Sequence, residues 1–355
     1  MIARSAFKIF LAGVGFIVFP APAQETPKSV SAPPAAIPPR AFPVAPSRPS
    51  IATELVQVLD DVVSQSRGAV VRVVGGDRHG RLNGTGFFVD AMGTVLTTRA
   101  VVGDSEEVRV TIPPSGRSVP ARVLASDPRS GVAIVRVETN ASATPFLHAG
   151  KSSELAVGTP VISLGFPSRR EPLRSLGLVE TFERESNGTY LNTTHIRVVM
   201  PVQRGSSGAP LLNFNGEVVG MVVSGMDGIC YALPIEAVNK ILADVTRYGT
   251  TRPAWVGVTA EISHDGVVVV ASTDEGSPAR KAGIQVGDTL VAIGNHKIEK
   301  VDDVIDVSFF LSEGDRVVVH ILRGDEEKEI PVTVGKRSTP TPKPADPSEF
   351  NLLGN

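Results

Sequence analysis

The chain has 355 residues, 42% of them hydrophobic, and its 35 Lys and Arg against 37 Asp and Glu leave a formal net charge of -2. Such a length accommodates two or three domains, and the balanced charge gives a nucleic acid no electrostatic hold. Cys230 is the single cysteine, which excludes an intramolecular disulfide, so stability has to come from apolar cores.

Arg4 and Lys8 precede the apolar run Ile9 to Phe19, and Ala21-Pro22-Ala23 follows with small residues. The pattern predicts a secretory signal over residues 1–23, because the run is shorter than the roughly 20 residues that span a bilayer. Residues 24–50 are dense in proline and alanine and read as an extended linker. Leu55, Val56, Leu59, Val62 and Val63 recur at helical spacing and predict a helix over 51–63.

From Ala69 to Pro234 the chain becomes a series of short runs rich in valine, isoleucine and threonine, such as Ala69 to Val74, Val108 to Ile112 and Val132 to Val137, broken by glycine and proline. This spacing predicts an antiparallel all-β unit, either barrel or sandwich. Cys230 lies in one such run, Ile229 to Leu233, where a packed thiol is expected. A helix with Val238, Ile241, Leu242 and Val245 on one face is predicted over 235–248, closing a first domain of residues 51–250. A second, of residues 254–335, holds strands near 266–271 and 316–322 and a helix near 301–311. Residues 336–355, with Thr339-Pro340-Thr341-Pro342, read as a disordered tail.

Gly205-Ser206-Ser207-Gly208-Ala209-Pro210 offers a hydroxyl on a glycine-flanked turn. Gly205 lets the backbone curl so that its own N–H and that of Ser207 converge on one point, and Gly208 leaves space beside the Ser207 hydroxyl. Acyl-transfer chemistry also needs an imidazole to take the hydroxyl proton and a carboxylate to orient it. The six histidines are scattered, and none occurs between His79 and His148. His79, His148 and His195 are each expected at a surface or in a turn. Neither metal-ligand spacing nor a glycine-rich phosphate cradle is present, so no metal and no cofactor is expected.

The serine string continues into Pro210-Leu211-Leu212-Asn213 and is preceded by Gly84-Thr85-Gly86-Phe87-Phe88-Val89, Leu96-Thr97, Ser126-Asp127-Pro128-Arg129 and Val157-Gly158-Thr159-Pro160-Val161. Together these strings resemble the HtrA (DegP/DegS) family of periplasmic proteases over most of 67–336. The resemblance implies a mainly β chain, a chymotrypsin-like double β-barrel followed by a PDZ domain. It implies Ser207 as nucleophile and Gly205 and Ser207 as oxyanion hole. The family's histidine position falls on Ala100, in Leu96-Thr97-Thr98-Arg99-Ala100-Val101-Val102, and its aspartate position on Gly131. Trp255-Val256-Gly257-Val258 resembles the carboxylate-binding loop of the family's PDZ domain, and Gly276 to Asp288 its small helix and turn.

These readings predict an inactive relative of the family, in the periplasm or secreted. It would bind polypeptide segments or protein C-termini as a scaffold or regulator in protein quality control, and the resemblance allows a homotrimer or association with HtrA-like relatives. An endopeptidase using another histidine as base, and a holdase, are the alternatives. Removing triad members costs up to about a million-fold in turnover in a comparable mechanism.

Overall fold

Side chains alternate in burial along β1 (Val70–Asp77), so that Val71 and Val73 enter an apolar interior while Arg72 and Val74 stay half-exposed. The computed structural model describes residues 50–138, 144–167, 171–184 and 193–336. The expected signal segment, nearly all of the linker and all of the tail but Lys336 lie outside the described residues.

β1, β2 (Gly80–Phe88), β3 (Thr94–Thr98), β4 (Glu107–Ile112), β5 (Arg117–Ser126) and β6 (Val132–Val137) close a barrel in the order β1-β2-β3-β6-β5-β4. A second barrel, β7 (Pro160–Gly165), β8 (Leu173–Glu183), β9 (His195–Val199), β10 (Pro210–Leu212), β11 (Val218–Met226) and β12 (Ile229–Pro234), closes as β10-β11-β12-β9-β8-β7. Of the two all-β options the chain takes the barrel, and closure leaves no strand edge open in either unit. Strand β1 outlasts its predicted end at Val74 because Asp77 accepts from the His79 and Gly80 amides and ties off a hairpin.

Each barrel has its own core, the first around Val73, Phe88 and Val110, the second around Ile196, Leu211 and Val222, with the Cys230 thiol inside it. Burial pushes that thiol's pKa up to about 12, which leaves it unreactive. The largest apolar cluster lies between the barrels: Phe87 and Leu96 from one side meet Leu164, Phe166 and Met221 from the other. Two helices seal it. α1 (Ile51–Ser66), capped by Ser50, contributes Leu59 and Val62 and runs one turn beyond the predicted end at Val63. A further helix, Ile235–Tyr248, with the predicted bounds, contributes Ile235, Val238, Ile241 and Val245 and is stopped by left-handed Gly249. Between them in sequence lies α2 (Arg99–Val102), a single turn following β3, so the Ile235–Tyr248 helix is α3.

The remaining residues build a sheet in the order β13-β14-β15-β17-β18 from β13 (Val258–Ile262), β14 (Val268–Thr273), β15 (Thr289–Ile293), β17 (Arg316–Arg323) and β18 (Glu326–Thr333), with β16 (His296–Lys297) paired to β15. Strand β14 starts two residues later than the predicted 266 because left-handed Gly266 donates to Ser263 in a turn. α4 (Pro278–Ala282) is capped by Ser277, and α5 (Val301–Phe310) lies beside β13.

α5 fastens this unit to the barrels. Phe309 is 2% exposed and belongs to the inter-barrel core, and the Arg129 guanidinium sits 5.3 Å from its ring centroid. Asp306 accepts from Arg184 Nη2 at 2.7 Å, from Thr194 N at 2.9 Å and from Thr194 Oγ1 at 2.6 Å. Lys240 pairs with buried Asp244 at 2.6 Å, and both hydrogen-bond the Ser312 hydroxyl.

His195 stands beside this junction and is fully buried, contrary to the expected surface or turn position, because the ends of β8 and β9 are covered by the second domain. Its Nδ1–H donates to the Thr193 carbonyl at 2.8 Å, and Nε2 has no partner among the described residues. Burial lowers its pKa to about 4, with Arg184 adding to the depression and Asp306 opposing it.

The folded state therefore binds fewer protons than the unfolded chain between pH 4 and the ordinary histidine value near 6.5, and stability is lost as pH falls through that window. About 3 kcal/mol is at stake, from roughly 1.36 kcal/mol per pKa unit. Urea midpoints measured from about pH 7 down to about pH 4 should fall more steeply for the native chain than for His195→Gln; parallel curves would contradict this. Thr85 offers a second test. Its hydroxyl accepts from Phe166 N at 2.8 Å and donates to Gly205 O at 2.7 Å across the barrel junction. Thr85→Val should cost about 2–4 kcal/mol in urea unfolding by stranding both groups, and Thr85→Ser much less.

Candidate functional site

The loop that carries Ser207 is shaped by backbone contacts from both barrels. Gly205 has φ +94° and closes a turn in which Ser206 N–H donates to Gln203 O, a position that demands positive φ. A Cβ on Gly205 would lie 2.6 Å from the Phe166 carbonyl oxygen, and one on Gly208 2.1 Å from the Thr85 carbonyl oxygen. Thr85 N–H in turn donates to Ser207 O at 2.9 Å. The N–H groups of Gly205 and Ser207 donate to no acceptor among the described residues, which leaves two donors free at the expected oxyanion position.

Ser207 itself is half-buried. Its hydroxyl donates to the Val223 carbonyl oxygen at 3.1 Å and shares a 2.8 Å hydrogen bond with the Thr98 hydroxyl. With its proton on Val223, Ser207 accepts from Thr98. Neither partner takes up a proton at neutral pH, so the oxygen stays a neutral hydroxyl and a weak nucleophile.

Ala100 lies exposed on α2, two residues past Thr98. Gly131 is buried at φ +71°, and its carbonyl accepts from Arg99 N at 2.6 Å. The backbone thus brings the two aligned positions together, yet offers neither imidazole nor carboxylate. A side chain at Gly131 would also meet a left-handed backbone, which costs L-residues roughly 1–2 kcal/mol. The nearby Asp127 is 1% exposed; its Oδ2 accepts from Ser130 N at 3.1 Å and Ser130 Oγ at 2.7 Å, and its Oδ1 faces Arg129 Nε at 3.4 Å. That carboxylate braces its own turn.

None of the candidate histidines reaches Ser207. His79 is exposed in the β1–β2 hairpin beside Arg78, and His148 is exposed against the Phe146 ring. His195 is buried at the domain junction. The sequence reading missed Thr98, whose hydroxyl would have been legible only from the Leu96-Thr97-Thr98 strand end lying against the serine turn.

In the second domain Trp255, Val256, Gly257 and Val258 line one side of a cavity of about 260 Å³. Trp255 is fixed by a two-way backbone bridge to Gly335, and its indole N–H donates to Asp274 at 3.1 Å. Gly257, at φ +76°, passes so close to Ser277 that a Cβ would lie 2.3 Å from the serine Cβ. Val256 and Gly257 N–H donate to no acceptor among the described residues. The opposite wall is α5, through Val304 and Ser308, and Ile284, Leu290 and Ile293 also line the cavity. Strand β13 ends the sheet on this side, so its outer edge is open to an added strand.

Residues 84–221 match the family described as "Trypsin-like peptidase domain" and residues 255–334 that described as "PDZ domain". The chain is 30% identical over 279 residues to the "Probable periplasmic serine endoprotease DegP-like" of Hahella chejuensis, covering 74% of this chain and 58% of that one. The protein of the same name from Chlamydia trachomatis is 29% identical over 270 residues, covering 71% and 54%. The chain thus spans a little over half the length of these relatives. Among solved structures, "HtrA-type protease AlgW with tripeptide" superposes with a TM-score of 0.69 at 20% identity, covering 79% of this chain and 98% of that one. The serine endoprotease from Yersinia pestis gives 0.61 at 22% identity, with the same coverage. With its two six-stranded barrels, its serine loop and the domain that follows them, the chain belongs to the HtrA family of trypsin-like proteins and carries one PDZ domain.

Proposed function

We propose that this chain is a pseudoprotease, a polypeptide-binding member of its family that serves as scaffold or regulator in periplasmic protein quality control. The observation that carries the reading is the Ser207 hydroxyl, held between the Thr98 hydroxyl and the Val223 carbonyl with no imidazole within reach among the described residues. The naming of its relatives as periplasmic endoproteases supports the compartment and the quality-control setting.

A polypeptide lying across the barrel junction would present a carbonyl to the free N–H groups of Gly205 and Ser207, which bind it without any group to start attack. Hydrolysis without a base falls by up to about a million-fold, with perhaps a thousand- to ten-thousand-fold over water surviving from the oxyanion donors and binding. The second domain would take a free C-terminus: the carboxylate on the Val256 and Gly257 amides, the last side chain in the 260 Å³ cavity, and the backbone along β13. Structures of a related protease with a decapeptide and with a tripeptide support peptide binding as the shared mode.

Casein turnover by the purified chain should equal that of its Ser207→Ala form, and a fluorophosphonate probe should leave Ser207 unlabelled; rapid Ser207-dependent cleavage would overturn the pseudoprotease reading. Peptides with apolar C-termini should bind the native chain, weaken at least about tenfold when amidated, and weaken similarly on Ser308→Phe, which fills the cavity. Equal affinity for the amidated and free forms would remove the C-terminal mode.

A further inference from the structure

The outer face of the first barrel holds a concavity of about 730 Å³ that neither the serine loop nor the PDZ cavity uses. Three arginines line it, Arg72 from β1, Arg81 from β2 and Arg109 from β4. The ladders place them on one face: Arg72 stands opposite Thr111, Val74 opposite both Asn83 and Arg109, and Gly76 opposite Arg81. Among the described residues none of the three is paired with a carboxylate. Arg72 Nη2 donates to Asn83 Oδ1 at 2.7 Å, but its Nε is buried without an acceptor. Arg109 uses Nε and one Nη2 hydrogen on Ser118, through Oγ at 3.2 Å and the carbonyl at 2.9 Å, which leaves its other N–H groups for a ligand. Glu107 is the only acidic residue lining the groove, and it stands opposite Arg122 in the β4–β5 ladder.

A chain of net charge -2 thus concentrates uncompensated positive charge in one groove of ligand-binding size. A buried guanidinium N–H without an acceptor is costly unless something supplies one. Arginine forks are matched to carboxylates, which they bind in pairs. One ladder position separates the groove from the serine loop: Arg72 stands opposite Thr85 in the β1–β2 ladder, and the Thr85 N–H holds the Ser207 carbonyl. We propose that this groove binds an acidic, extended stretch of a polypeptide, its Asp and Glu side chains on Arg72, Arg81 and Arg109, next to the segment that lies across the barrel junction. Three arginines on a mildly acidic protein suit a few carboxylates better than the continuous charge of a nucleic acid. The site stands whether or not Ser207 hydrolyses anything, and apart from the PDZ cavity.

The test uses the full chain and fluorescence anisotropy with a labelled Glu-rich decapeptide, amidated so that the PDZ domain has no terminal carboxylate to hold. Its Gln counterpart and a single-stranded oligonucleotide serve as comparisons. The Glu peptide should bind at least about tenfold more tightly than the Gln peptide, with affinity falling as ionic strength rises from about 0.05 to about 0.3 M. Arg81→Glu with Arg109→Glu should abolish that preference while leaving binding of a free apolar C-terminus intact, which certifies the fold. Glu107→Lys should strengthen Glu-peptide binding, a gain that misfolding cannot produce. Ser308→Phe should change nothing here. Equal binding of Glu and Gln peptides, insensitivity to the arginine reversals, loss only on Ser308→Phe, or tighter binding of the oligonucleotide than of the peptide would each overturn the proposal.

Discussion

Two closed barrels share no strand ladder, so something other than sheet pairing has to set their relative placement, and the buried residue Thr85 carries much of that duty. Its amide holds the Ser207 carbonyl, its hydroxyl bridges Gly205 and Phe166, and its carbonyl accepts from the Thr97 hydroxyl at 2.7 Å. Gly208 has to be glycine because the Thr85 carbonyl presses against it, and Gly205 because Phe166 does. The serine turn is therefore part of the joint between the barrels. Its glycines answer to packing, and they would be required whether or not a bond is ever cut beside them.

This separation explains how a protease-shaped cleft can persist around an unactivated hydroxyl. Ala100 is exposed on a one-turn helix, and replacing an imidazole there disturbs no core. Gly131 sits in a tight turn braced by Asp127 and Ser130, and its carbonyl still anchors the amide of Arg99. The Arg99 amide and the Gly131 carbonyl tie the two segments together by backbone, and neither Ala100 nor Gly131 offers an imidazole or a carboxylate. Thr98 and Val223 satisfy the hydroxyl of Ser207 instead, so that hydroxyl is not left stranded.

The PDZ domain is joined to the barrels through a helix with two jobs. Val304 and Ser308 of α5 wall the cavity of the second domain, while Asp306 and Phe309 of the same helix reach the second barrel and the inter-barrel core. Neutral His195 lies under this junction, and protonating it would place a charge beside Arg184 in a buried setting. One wall of the cavity is thus anchored in the apolar cluster that holds Phe309.

Much of this architecture was written locally. The alternating valine runs and the 235–248 helix with Gly249 behind it depend on neighbours within a few residues; the glycine-flanked Ser207 and the Trp255 to Val258 string are visible as motifs, although the distant Thr85, Phe166 and Gly335 hold them in place. What required the tertiary structure are contacts between distant segments. Thr98 and Ser207 are 109 residues apart, Arg184 and Asp306 122 apart, and the arginines of the outer groove come from three strands. His195, expected at a surface or in a turn, is buried, and the charged groups that act on it, Arg184 and Asp306, come from two different domains. Periodicity and turn chemistry act within a strand or a helix and are visible in order along the chain; hydrogen-bond partners, burial and charge clusters arise when barrel closure brings remote strands together, and no short window of sequence contains both ends of such a contact.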